Sequence, residues 1–182
     1  MKGVKNFKIM LDSQGKIDFT SKMHTVLDQA MTMVFVNKKD SAYTLQKKLK
    51  TDEIDAQILT GGIENDARDR LIDQFRLNKF STLISTNVLA RGIDVPEVDV
   101  VINFDVPIVM KEGWMDPDYA NFMHRVGRTG RFGTDGIAVT LMADENDEEM
   151  MRLIGKHYEI EINELKSFDQ LVTAINEMRG GL

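Results

Sequence analysis

Short apolar runs alternate along the chain with segments in which apolar residues recur every three or four positions. The runs are rich in β-branched residues and predict strands at 32–36, 56–59, 81–85, 98–102 and 137–141, with an edge strand at 7–11. The recurring pattern predicts helices near 19–30, 40–50, 64–77, 118–126 and 144–157. A last short helix is predicted for 167–178, with Ser167 as its N-cap.

This alternation of strands and helices predicts an α/β fold, a three-layer αβα sandwich around a mainly parallel sheet. Strands that are apolar along their whole length are typical of a sheet covered on both faces. The stretch 110–117 contains glycine, proline and charged residues, and it is predicted to be a turn-rich loop. No internal repeat or low-complexity tract divides the 182 residues, so we expect residues 1–182 to form one domain.

Composition narrows the class of protein. The chain is 42% hydrophobic and 29% charged, which is an ordinary balance for a globular domain. It contains no cysteine, so disulfides and thiolate metal sites are excluded, and its three histidines lie too far apart to suggest metal ligands. No apolar run is long enough to span a membrane and no signal-peptide pattern opens the chain, so a cytosolic or nuclear protein is expected.

The net charge of −6 is unevenly distributed along the chain. Residues 144–182 contain 10 acidic and 4 basic residues, so the rest of the chain is neutral overall. We interpret the acidic tail as solvated helix surface. A nucleic-acid site would therefore have to be a local patch elsewhere, because binding duplex DNA by bulk charge requires a basic protein.

Three polar segments follow predicted strands, where ligands collect in sheets of this kind. The first is Thr60-Gly61-Gly62, whose backbone N–H groups either bind a phosphate or form a plain turn. The second runs from Ser85 to Asp94. In it, Thr86 is a candidate donor to a phosphate, and Asp94 is either an acceptor for a ribose hydroxyl or a turn residue.

The third segment, His124 to Gly133, carries arginine at every third position and glycine at 127, 130 and 133. Glycine is unfavourable inside a helix, so this is not an ordinary charged surface helix. Arginine presents a planar, permanently charged group that suits phosphate oxygens and can stabilise charge in phosphoryl transfer. The chain lacks a G-x-x-x-x-G-K-[ST] loop and an acidic Mg²⁺ motif, so it has candidate arginine fingers without a nucleotide cradle.

In this order and spacing, the segments resemble the second-domain motifs of DEAD-box RNA helicases. Val34–Asn37 is similar to motif IV, and Thr60-Gly61-Gly62 with Arg68 is similar to the RNA-contacting elements that follow that motif. Ser85–Asp94 is similar to motif V, and His124–Arg131 is similar to motif VI. The resemblance covers almost the whole chain and implies the C-terminal RecA-like domain, without the N-terminal helicase domain. Residues 67–76, 86–94, 116–119 and 160–165 most resemble the mRNA-export subfamily of the nuclear pore. Val126 and Asn65 depart from common family residues.

The resemblance implies a role for each matching residue. Arg128 and Arg131 would contact the γ-phosphate of ATP as catalytic arginines, and Gly92 and Asp94 would hold the ribose. Gly62, Arg68 and Thr86 would contact the RNA backbone, which carries no sequence information directly. Arg91, His124 and Arg125 would link the two helicase domains. ATP would bind with Mg²⁺, which the N-terminal domain would mainly hold. The C-terminal domain alone is therefore expected to be inactive. ATP binding would close the cleft between the two domains.

The resemblance also implies partners. They are RNA, the first RecA-like domain and an mRNA-export activator whose binding is helped by inositol hexakisphosphate. The protein is expected to be a monomer. It is expected in the cytoplasm and nucleus, at the cytoplasmic face of the nuclear pore. Lys47, Lys48 and Lys50 are the candidate polyphosphate contacts, with 47 and 50 on one helix face; the alternative, which the pattern alone favours, is that they are ordinary solvated lysines. Two alternatives remain: a stand-alone RNA-binding or protein-binding module without ATPase activity, and a lobe of a DNA helicase or remodeller. The latter usually carries glutamine where His124 stands.

Overall fold

The computed structural model describes residues 3–86, 97–130 and 135–179. The strands within these ranges are β1 (Val4–Met10), β2 (Thr32–Phe35), β3 (Ala56–Leu59), β4 (Thr82–Ser85), β5 (Val100–Asn103), β6 (Ile108–Lys111), β7 (Trp114–Pro117), β8 (Gly136–Met142) and β9 (Ile162–Leu165). The helices are α1 (Ser13–Val26), α2 (Lys39–Thr51), α3 (Asn65–Arg76), α4 (Tyr119–Val126), α5 (Glu145–Tyr158) and α6 (Phe168–Met178).

Seven strands form one sheet in the order β3-β4-β2-β5-β8-β1-β9. Every neighbouring pair in this sheet is parallel, which confirms the α/β prediction. After β2 the chain builds the β3–β4 side, and it then crosses to β5 and β8 on the other side. The strand order therefore reverses between β2 and β5, and the crevice at their carboxyl ends is where such sheets commonly bind ligands.

Two interpretations of the sequence were wrong. The strand predicted at the sheet edge is internal, because β1 pairs with β8 on one side and with β9 on the other. The stretch predicted as a loop contains the antiparallel hairpin β6–β7. Glu112 and Gly113, both with positive φ, form its two-residue turn, the geometry that matches the twist of paired strands.

Helix termini follow local hydrogen bonding. Helix α1 begins at Ser13 rather than near residue 19, because the Asp12 side chain accepts from Gly15 N and caps the helix there. The Ser167 side chain accepts from Gln170 N, which confirms the predicted N-cap of α6. The acidic α5 is capped in the same way by Asp144.

The sheet separates two apolar layers. The first face, covered by α1, α2 and α6, buries Phe19, Leu45 and Leu171 against the strands. The second face, covered by α3, α4 and α5, buries Phe75, Phe122 and Ile154. Because side chains alternate between faces along a strand, each strand contributes to both layers.

Candidate functional site

The carboxyl edge of the sheet brings the first two polar segments together. Thr86 follows β4, and its backbone N donates to Leu59 O at the end of β3, 3.2 Å away. Thr60-Gly61-Gly62 continues from the same strand end. Two of the predicted RNA-binding residues, Gly62 and Thr86, therefore leave adjacent, hydrogen-bonded strands.

Lys39, the exposed first residue of α2, belongs to this edge and was missed in the sequence. A Cβ atom at position 62 would lie 3.6 Å from Lys39 Nζ, so the ammonium group sits beside the exposed backbone of Gly62. The available signal was a pair of lysines, Lys38 and Lys39, a few residues after an apolar strand, at the end where ligands collect. The lysine adds positive charge next to a backbone that lacks a side chain.

Arg68 lies on α3, which follows the glycine segment. Its backbone N donates to Glu64 O as the helix starts. Its side-chain Nε is buried and has no hydrogen-bond partner within the described ranges. Leaving a buried donor unsatisfied costs about 1–3 kcal/mol, and this N–H would reach a ligand only if the side chain turned outward.

The third segment begins in helix α4, and the chain leaves the helix partway along the segment. The helix begins after Asp118, whose side chain accepts from Asn121 N, and ends at Val126. Residues 127 and 128 then form a turn, in which Thr129 N donates to Val126 O, and Thr129 pairs with Val98: Val98 N donates to Arg128 O and Gly130 N donates to Val98 O. The glycines fit this path, because a Cβ at Gly127 would lie 2.7 Å from Met123 O and Gly130 has φ +106°.

The described arginines of this segment have opposite environments. Arg128 is exposed, as is His124. Arg125 is 1% exposed, its Nη1 donates to Asn103 Oδ1 at 3.2 Å, and its guanidinium carbon lies 4.6 Å from the centre of the Phe35 ring. Burial lowers the pKa of Arg125 to about 10, and the carboxylates of Asp118 and Asp105 oppose part of that shift. Arg125 therefore remains charged at neutral pH.

Asn103 and Thr140 complete the surroundings of Arg125 and were also missed. Asn103 Nδ2 donates to Thr140 Oγ1 at 3.1 Å, and both residues are buried. The signal was an asparagine closing the apolar strand Val-Val-Ile-Asn. A buried amide needs partners for both its donor and its acceptor, and here Thr140 and Arg125 supply them.

Asp105 orders the loop between β2 and α2. One carboxylate oxygen pairs with the buried Lys16 Nζ at 3.4 Å, and the other accepts from Asn37 N at 2.8 Å. Lys16 comes from α1, so three chain segments converge in the crevice between β2 and β5. The start of α2, and with it Lys39, is thereby fixed against the sheet.

Other predicted site residues are only partly placed. Arg91, Gly92, Asp94 and Arg131 lie outside the described residues, so their roles stay predictions. Arg125, predicted with His124 to link two domains, is located inside this one, and its linking role likewise stays a prediction.

The lysines of α2 divide as the helical spacing predicted. Lys47 and Lys50 line one groove of about 550 Å³ next to β3, together with Tyr43. Lys48 points elsewhere and pairs with Asp52 at 3.4 Å. A ligand in the groove would meet the first two lysines and not the third.

Two features are absent from the residues described. No group of three or more histidine or carboxylate side chains among them could hold a metal ion. In the same ranges, no helix combines the length and the apolar character needed to cross a bilayer.

Comparisons with known proteins agree with this geometry. The family model described as "Helicase conserved C-terminal domain" matches residues 15–133. The ATP-dependent RNA helicase DBP5 of Candida glabrata is 39% identical over 159 residues, which is 87% of this chain and 31% of that protein. The chain thus spans about a third of the length of this curated relative.

Two solved structures match over almost their entire length. The C-terminal domain of the DEAD-box protein Dbp5 has a TM-score of 0.86 and 34% identity, covering 96% of this chain and 98% of that chain. The C-terminal domain of a S. cerevisiae Dbp5 variant, solved with a Gle1 variant and IP6, has a TM-score of 0.84 and 33% identity with the same coverage.

Proposed function

The chain belongs to the helicase conserved C-terminal domain family, in its DEAD-box branch, and we propose that it is the second lobe of an ATP-dependent RNA helicase. The lobe comprises the whole chain, since the match to the Dbp5 C-terminal domain covers 96% of it. The first lobe, which would carry the nucleotide cradle, would precede it in the full-length polypeptide.

In this proposal the lobe supplies positive charge to bound ATP. Arg128 and Arg131 contact the γ-phosphate, and Gly92 and Asp94 hold the ribose. The observation that carries the proposal is that Arg128 is exposed while its backbone is fixed through Val98 on the neighbouring segment. A charge held in place before the reaction stabilises the transition state without reorganisation during it. ATP would supply the transferable phosphoryl group, with Mg²⁺ held mainly by the first lobe.

The RNA side is formed by the carboxyl edge of the sheet. Gly62 offers a backbone N–H group, Thr86 a hydroxyl and Arg68 a guanidinium group. In the DEAD-box helicases that the chain resembles, these positions contact phosphate and sugar oxygens, so binding should depend little on RNA sequence. Closure of the two lobes around ATP would hold a single strand, and hydrolysis would release it, giving local unwinding or remodelling.

Steady-state phosphate release tests the proposal directly. The isolated chain should show almost no ATP hydrolysis with or without RNA, because it lacks the triphosphate cradle. The full-length protein should reach a turnover of about one per second or more when RNA is added. Such a turnover from the isolated chain would contradict the proposal. RNA binding without RNA-stimulated hydrolysis by the full-length protein would favour the stand-alone module instead.

We further propose that the helicase acts in mRNA export, at the cytoplasmic face of the nuclear pore. The support is the resemblance to Dbp5, whose C-terminal domain has been solved with Gle1 and IP6. In this chain, Lys47 and Lys50 are the candidate contacts for inositol hexakisphosphate, because they share one groove.

Calorimetry with an activator fragment, with and without inositol hexakisphosphate, tests this part. Binding should be tighter with the polyphosphate and should weaken as salt is raised, since screening sets in over about 10 Å near 0.1 M salt. Lys47→Glu with Lys50→Glu should remove the polyphosphate effect, whereas the matched variant Lys48→Glu should retain it. Absence of heat in both conditions would remove the export assignment and leave the helicase assignment intact.

A further inference from the structure

The buried arginine of α4 lies in a continuous polar chain that crosses the interior of the domain. Thr140 on β8 accepts from Asn103 on β5, Asn103 accepts from Arg125 on α4, and Arg125 covers the ring of Phe35 on β2. Four chain elements therefore meet at one guanidinium. Neither Asn103 nor Thr140 contacts ATP or RNA in the proposed function.

This chain of contacts lies close to the strand ends that are proposed to bind RNA. Phe35 O accepts from Phe104 N at 2.9 Å, and the next residue on, Val36, donates its N to Ser85 O at the end of β4. Thr86, the proposed RNA contact, follows directly. Asp105, which fixes Asn37 at the start of α2, also attracts the Arg125 charge.

The other end of α4 leads to the nucleotide side. Arg128 lies three residues beyond Arg125, in the turn that ends α4, and its carbonyl oxygen accepts from Val98 N. The register of α4 on the sheet therefore sets where the exposed Arg128 is presented. Sliding or rotating the helix would withdraw the Arg125 charge from Asn103 into an apolar layer, which is strongly unfavourable.

We propose that Arg125 is a positioning residue that acts from inside the domain. Through Asn103 and Phe35, it holds the arginine-bearing end of α4 in a fixed relation to the strand ends that contact RNA. RNA bound at the carboxyl edge and ATP bound beside Arg128 are thereby coupled through one buried contact set. This inference rests on the proposed function, because it assigns the route by which RNA stimulates hydrolysis.

The test uses full-length protein and variants of the fully buried Asn103, which cannot reach across a domain cleft. Asn103→Leu removes the acceptor for Arg125 at nearly constant volume, and it should lower RNA-stimulated kcat by about tenfold or more. Asn103→Asp keeps that acceptor and should retain most of the activity. Arg152→Met is the control for arginine loss, since Arg152 is an exposed residue of α5 paired with Glu149.

A double variant separates positioning from fold stability. Arg125→Met alone leaves Asn103 without its partner and should lower the melting temperature. Arg125→Met combined with Asn103→Leu replaces both of these partners by apolar groups and leaves only the Thr140 hydroxyl without its donor, so the melting temperature should largely recover, as is common for such exchanges. RNA-stimulated kcat should stay low in the double variant, because the contact that sets the register is still missing.

Two outcomes would overturn the inference while leaving the proposed function standing. The first is wild-type activity in Asn103→Leu together with loss in Arg125→Met, which would show that Arg125 itself reaches across the cleft. The second is recovery of both melting temperature and RNA-stimulated kcat in the double variant, which would show a purely structural role. Absence of RNA-stimulated hydrolysis in the wild-type protein would instead overturn the proposed function, and the inference with it.

Discussion

The two faces of the sheet use the same strands but bury different chemistry. On the first face, Ile102 of β5 and Val139 of β8 are both fully buried among apolar side chains. One residue further along each strand, the second face presents Asn103 and Thr140, and α4 places Arg125 over them. The polar cluster lies beneath α4, the helix that leads to the candidate arginine finger Arg128.

The difference indicates what each face contributes. Apolar packing tolerates many arrangements of similar volume, so the aliphatic contacts of the first face stabilise the domain without imposing one helix position; the buried Lys16 of α1 is paired with Asp105. A buried charge is strongly unfavourable unless its partners are in place, so on the second face Arg125 adds a constraint on the register of α4 to the apolar packing. The buried cation of the second face lies on the helix that leads to Arg128.

The largest expected effect separates the exposed from the buried arginine. In the full-length protein, Arg128→Ala should lower RNA-stimulated kcat by about 10³-fold or more, the loss typical of a finger arginine. Its melting temperature should stay close to that of the wild type, because the side chain is exposed. Phosphate release and thermal denaturation measured together check this; a matching drop in melting temperature would show that Arg128 is structural.

A core substitution on the first face should show the reverse behaviour. Leu45 is fully buried under α2, and Leu45→Ala should lower the free energy of unfolding by about 2–5 kcal/mol. The variant should keep its RNA-stimulated kcat per folded molecule, because Arg128 follows α4 on the opposite face of the sheet. Urea denaturation and active-site titration are the measurements. Loss of kcat in fully folded protein would mean that the two faces are not independent.

A milder effect is expected at the RNA edge, where Thr86→Val removes a hydroxyl while keeping the side-chain shape. RNA affinity should fall by about 0.5–1.5 kcal/mol, or somewhat more because a phosphate acceptor is charged. The loss should be equal for RNAs of different sequence. Equilibrium titration with several oligonucleotides decides the point, since a loss confined to one sequence would indicate a contact to a base.

The smallest effect concerns His24 of α1, which forms a polar contact with Thr82 of β4 on the first face. His24 lies between Thr20 O and Thr82 Oγ1, at 2.8 and 2.6 Å, and burial lowers its pKa below the usual value. The unfolded chain therefore binds a proton more readily, so the free energy of unfolding should fall as the pH drops through and below about 6.5. His24→Gln should show a weaker decline over that range in urea denaturation; an identical decline would assign it to other groups.

Periodicity predicted most of the fold but missed two features for identifiable reasons. The four-residue β9 mixes polar and apolar residues and becomes a strand only because β1 has a free side for it. The hairpin β6–β7 exposes Met110, and its Trp114 is 76% exposed, so the apolar alternation that marks a half-buried strand is absent. The strand β9 depends on a partner distant in sequence, whereas the hairpin pairs locally and was missed because its strands are largely exposed.

For the candidate site, the sequence itself determined which residue types could act. Arginines at three-residue steps, hydroxyls and glycines after apolar strands, and the absence of a triphosphate loop together indicate half of a phosphate-transfer site. They could not distinguish Arg125 from Arg128, which are chemically identical and three positions apart. Tertiary structure made that distinction: alternation along β5 and β8 put Asn103 and Thr140 under α4, so the arginine facing them was buried and the next stayed exposed.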